Sequence, residues 1–181
     1  MAENKIADPV PLGLAAFGVT LMMLSSANAG LWGGAGGGAV VGTALFYGGI
    51  TLALVGLLEF MRGNAFTATV FSSFGAFWMS VWYWLTHAAV QAPGSLGVFL
   101  MVFSLASFVM WICAIKLGMQ LNVLFLLLTI TLVLLAYGNW GAGHASMVKD
   151  GGWTGMVTAA LALYLTAKSL INEIWGRKVL P

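Results

Sequence analysis

LGVFLMVFSLASFVMWICAIKLGMQLNVLFLLLTITLVLLAY, residues 96–137, carries a single charged side chain, Lys116. A bilayer core roughly 30 Å thick takes about 20 apolar residues per spanning helix. The stretch therefore reads as two spans, 96–117 and 121–137, parted at the short break 118–120. A membrane barrel strand would alternate apolar and polar residues over about ten positions. These runs are continuously apolar over nearly twice that length, so helix is the reading.

Four further apolar runs of helix length occupy 12–29, 39–60, 66–85 and 153–171. Breakers separate them: the glycine-rich 32–38, then 61–64, 87–95 with Pro93, and 139–152. The expected fold is an all-α integral membrane protein of six transmembrane helices in a single domain, 1–181. Composition agrees: 61% of the residues are hydrophobic and 7% charged, against about 25% charged in a soluble domain. The run from Leu12 to Leu24, followed by Ala27-Asn28-Ala29, has the outline of a secretory leader. Glu3 and Asp8 beside Lys5 deny it the positive n-region a leader needs, so it is taken as the first span.

With six spans, Lys5, Arg62, Lys116, Lys168, Arg177 and Lys178 fall on one side and only Lys149 on the other. The positive-inside rule then puts both termini in the cytoplasm; the expected location is a cell membrane, the inner or plasma membrane of a prokaryote. Pro9, Leu12 and Gly13 recur as Pro93, Leu96 and Gly97, each set opening a helix. Three spans lie between the copies, so such a 3+3 repeat would be inverted, with its site near the midplane. Gly38/Gly42 and Gly151/Gly155 stand at the small-xxx-small spacing of close helix packing.

No run of like charge suits a nucleic acid. Cys113, the single cysteine, reads as a small core residue. His87 and His144 fall in loops without a carboxylate or thiol set, and no His/Cys/Asp/Glu pair has ligand spacing, so no enzyme, metal or cofactor is expected. Polar groups inside the spans are hydroxyls: Thr20, Thr43, Thr51, Thr67, Thr69, Ser72, Ser73, Thr129 and Thr131. Most are expected to bond back to their own helix, the remainder being available to line a pore. Such a path suits a small, weakly polar or singly charged solute, because desolvating further charge is costly. Glu59 and Glu173, near span ends, are candidates for a proton or charge relay or for ordinary pairing with a basic residue. Trp78, Trp82, Tyr83, Trp84, Trp32, Trp140 and Trp153 read mostly as interface anchors. Phe17 and Phe74 lie within spans, where a ring either packs between helices or narrows a channel.

The opening Asp8-Pro9-Val10-Pro11-Leu12-Gly13-Leu14 resembles the Asn-Pro-Ala-Pro-Leu-Gly-Leu signature of the acetate uptake transporter family, which includes bacterial succinate/acetate permeases. Further matches follow in order: Phe46-Tyr47-Gly48-Gly49, Gly56-Leu57-Leu58-Glu59, Gly63-Asn64, Gly75 through Phe77-Trp78, Gly138-Asn139, Asn172-Glu173, Gly176-Arg177 and Val179-Leu180-Pro181. The resemblance implies six helices, assembly as a homohexamer, and a pathway in each protomer for acetate and, in some members, succinate. It also implies a hydrophobic constriction of Phe17, Phe74 and Leu128, and a substrate path past Pro9, Pro11, Leu12, Gly13, Leu14 and Asn139. Asp8, Val10, Leu52 and His144 stand where relatives carry Asn, Ala, Gln and Asn, which bears on substrate range. Asp8 is read as a cap of the first helix; His144 would make access pH-sensitive.

The leading expectation is therefore a monocarboxylate pathway through a dry neck, as anion channel or proton symporter, with membrane lipid as its surroundings. A channel for a neutral solute such as urea, ammonia or a short amide would share the apolar neck. A membrane scaffold would share only the small-residue packing.

Overall fold

A computed structural model describes residues 6–33, 38–87, 92–141 and 144–181. Lys5, Glu3 and parts of the 32–38, 87–95 and 139–152 breaks lie outside the described residues. Within them the chain forms six long helical segments and no strand: α1 Val10–Asn28, α2 Gly38–Met61, α3 Ala65–Thr86, α4 Ser95–Ala114, α5 Met119–Trp140 and α6 Ala145–Ile174. All but α3 are long and apolar enough by composition to cross a membrane. α3 falls short because its tryptophans, tyrosine and hydroxyls lower its hydropathy, although it has 22 residues.

Helix starts follow local chemistry. Pro9 caps α1 and Pro11 sits in its first turn, where the missing amide is not needed. Asp8, expected as the cap, stands one residue before it: the cap position is held by Pro9 without a side-chain cap bond, and Asp8 Oδ1 accepts the Val10 N–H at 3.3 Å. Asn64 caps α3 by accepting the Thr67 N–H. α2 is wound as a π-helix over Ala44–Thr51, so that Thr51 Oγ1 reaches the Phe46 carbonyl five residues back at 3.0 Å.

Three sequence-based expectations need correction here. The sixth helix begins at Ala145, not at 153, and the fifth runs on through Trp140. Gly151 and Gly152 look like breakers, but they sit inside a helix and let it touch its neighbours: a Cβ on Gly152 would collide with the Ala29 amide nitrogen and the Ser25 carbonyl of α1. Cys113 is exposed on α4 rather than buried in the core, because an apolar run meets lipid on one face and protein on the other without changing composition.

The helices neighbour one another in the order α4–α5–α6–α1–α2–α3. Backbones approach closely at the α1–α6, α4–α5, α5–α6 and α2–α3 seams. Closure of the ring, where α3 faces α4 and α5, is made by large aromatic side chains: Phe77 stacks on Phe99 at 5.3 Å, and Phe66 meets Phe125 edge-on at 5.8 Å. Rings reach farther than backbones pack, so space is left along the axis between α1, α3 and α5.

Candidate functional site

That axial space is two cavities. The larger, about 150 Å³, lies toward the C-terminal ends of α1 and α5, and the smaller, about 60 Å³, toward their N-terminal ends. α1 lines them with Val10, Leu14, Phe17, Leu21, Leu24 and Asn28; α5 contributes Leu121, Leu124, Leu128, Thr131, Leu135 and Asn139. Each is a single helix stripe at steps of three and four residues. From Val10 to Asn28 it covers about 27 Å at 1.5 Å per residue, close to a bilayer core.

Three residues line both cavities: Phe17, Phe74 and Leu128. They are 7%, 2% and 3% exposed, and the Phe17 and Phe74 rings meet edge-on with centroids 5.8 Å apart. Phe77 and Phe103 hold Phe74 from behind. The structure thus brings together at one level three apolar side chains from three helices.

Polar groups are unevenly divided. The larger cavity is lined by Ser25, Asn28, Thr131 and Asn139; the smaller has Thr67 alone. Asn139 donates to the Leu135 carbonyl at 2.8 Å. Thr131 Oγ1 donates to the Leu127 carbonyl at 2.8 Å and lies 3.2 Å from Thr154 Oγ1, forming a hydroxyl seam between α5 and α6. Ser25 Oγ and Trp78 Nε1 are buried without a hydrogen-bond partner among the described residues, an arrangement that a water or polar solute would relieve. Trp78, expected at the interface, is instead 1% exposed and walls the larger cavity. None of the described lining residues of either cavity is Asp, Glu, His, Lys or Arg.

Of the opening segment, only Leu14 lines a cavity together with the neighbouring Val10. Leu12 is 47% exposed on the outer face of α1, while Pro9, Pro11 and Gly13 shape the helix start. A Cβ on Gly13 would meet the Phe71 ring at 2.6 Å, so this glycine seats a ring that itself lines the smaller cavity.

Glu59 is fully buried, accepting from Arg62 Nη1 at 2.7 Å and from the Thr67 hydroxyl. Arg62 Nη1 also donates to Asp8 Oδ1 at 2.5 Å. The shared guanidinium ties the start of α1 to the α2–α3 turn; Asp8 first, then Glu59, raises its affinity for its proton above the ordinary arginine value. Glu59 reaches the smaller cavity only through Thr67. Glu173 is exposed and lines neither cavity. His144 caps α6 beside a separate 320 Å³ cleft with Met101, Tyr137 and Trp140.

The resemblance singled out Phe17, Phe74 and Leu128, which line both cavities; Leu21, Leu24, Ser25 and Trp78, which line the larger, were not expected there. Stepping from Phe17 by helical turns finds the first two. The signal for Ser25 and Trp78 is tertiary only.

Residues 1–175 match the model of the GPR1/FUN34/yaaH family. The succinate-acetate/proton symporter SatP of Escherichia coli is 37% identical across the whole chain and 97% of its own length. Ammonia transport outward protein 2 of Saccharomyces cerevisiae is 33% identical over 89% of this chain and 60% of its own. The solved structure of the bacterial acetate channel SatP superposes with a TM-score of 0.90 at 35% identity, covering 98% of this chain and 99% of that one.

Proposed function

We propose, from the premise that this multi-pass membrane protein belongs to the GPR1/FUN34/yaaH family, that it carries acetate and related small carboxylates along the axis of each protomer. The observation that carries this reading is the junction of two cavities at Phe17, Phe74 and Leu128 on helix-long lining stripes. The E. coli relative is named for succinate and acetate, and the structural neighbour for acetate.

On this reading the three side chains act as a dry neck that a hydrated ion does not cross without shedding water. Ser25, Thr131 and Asn139 receive the carboxylate on the polar side, while the methyl group faces the leucines. With no titratable side chain among the described lining residues, a proton would travel on the solute itself as the undissociated acid. Glu59, held by Arg62 and Thr67, serves the reading better as a structural tie than as a relay.

The deciding experiment is uptake of radiolabelled acetate into proteoliposomes under an imposed pH gradient or membrane potential, with Phe17→Ala in parallel. Saturable uptake that cold acetate competes away, altered by Phe17→Ala, is the expected result. Response to potential alone marks passage of the anion; response to the pH gradient alone marks passage with a proton. Uptake no greater than in empty liposomes sinks the carboxylate reading and turns attention to ammonia or urea.

A further inference from the structure

Beyond the smaller cavity, a wide vestibule of about 750 Å³ opens at the end where α1 begins. Val10, Leu14 and Leu121 line both it and the smaller cavity, forming an apolar ring between them. Its wall also holds Lys168 and Gln120. Lys168 Nζ donates to Gln120 Oε1 at 2.7 Å. Gln120 is itself held, its Nε2 donating to the Pro181 main-chain oxygen at 3.2 Å, an atom that the Tyr164 hydroxyl also engages at 2.7 Å.

The ammonium is therefore positioned, and among the described residues no carboxylate lies within ion-pair distance of it. It has three N–H donors, and its one observed partner is an uncharged amide oxygen. Among the described residues both ion pairs belong to Arg62, which occupies Asp8 and Glu59, and Glu173 is not part of the vestibule wall. A cation in a cleft with low-dielectric walls concentrates anions there, an effect that salt screens.

We propose that Lys168 forms an anion-recruiting site: a small carboxylate pairs with its ammonium in the vestibule before crossing the Val10, Leu14 and Leu121 ring. This rests on the carboxylate reading above. Its role is to raise local solute concentration and orient the charged end outward, so that the apolar end enters the ring first. Passage through the neck is unaffected by it.

The test compares initial rates of labelled acetate uptake by the wild type, Lys168→Gln and Lys168→Arg in proteoliposomes at low and high salt. Lys168→Gln is expected to raise KM about threefold or more at low ionic strength with a similar maximal rate. Lys168→Arg keeps the wild-type KM, and about 0.5 M salt abolishes the difference. An unchanged KM in Lys168→Gln at low salt overturns this proposal while leaving the transport reading intact. Equal impairment of Lys168→Arg also overturns it, because contact with Gln120 rather than charge would then matter. A wild type that carries no acetate removes both.

Discussion

Phe74 does two jobs that pull its substitution in opposite directions. It fills the core at 2% exposure against Phe17, Phe77 and Phe103, and it stands between the two cavities. Phe→Ala in a packed core costs about 3–5 kcal/mol. Here Phe74→Ala would also join the cavities. The expected outcome is a lower melting temperature in detergent together with faster acetate flux and admission of succinate, read by uptake and competition. Unchanged preference and rate would remove Phe74 from the neck. Asp8 illustrates a different residue-scale point: its carboxylate is engaged by Arg62 and the Val10 amide. Where the signature it resembles has asparagine, the aspartate thus adds an ion pair at the helix start, exposed enough for water and salt to screen most of its worth.

At the scale of elements, glycines of the same helix pair have opposite meanings. A Cβ on Gly75 of α3 would lie 2.7 Å from the Ala53 nitrogen and 3.0 Å from the Gly49 carbonyl oxygen of α2, backbone atoms that cannot rotate away. Gly42 has nothing within 4 Å. Gly75→Ala is therefore expected to lose about 1–3 kcal/mol or more through overpacking, whereas Gly42→Ala is neutral or gains up to about 1 kcal/mol from helix propensity. Thermal unfolding in detergent separates the two. Loss of stability in Gly42→Ala would mean that another copy of the chain covers that face. The π-wound stretch of α2 belongs to the same seam: Gly48 within it faces Thr20 and Trp78 so closely that a Cβ would lie 2.7–2.8 Å from them.

The whole molecule is a ring of helices with an axial path and an apolar outside. Val102, Leu105, Val109 and Ile112 of α4 are exposed along one face, as a membrane protein requires. Lipid and a neighbouring copy satisfy such a face equally, since both are apolar. On the family resemblance we propose a homohexamer; native mass spectrometry from mild detergent is expected to give six times the 19.0 kDa protomer. A protomer mass retained across detergents and concentrations would refute that assembly.

Helical class and the approximate starts of most helices were legible in the chain because lipid imposes uninterrupted apolar runs and offers backbone groups no partner but their own helix. Phe17, Phe74 and Leu128 were singled out by resemblance, and the structure sets them where the two cavities meet. Tertiary structure alone decided that Gly151 and Gly152 continue a helix, that Trp78 faces inward and Cys113 outward, and that Asp8, Glu59 and Arg62 form one cluster. The physical reason is common to all of these. In a span that is apolar all round, composition does not distinguish the face against lipid from the face against protein, so inside and outside are assigned only when the helices meet.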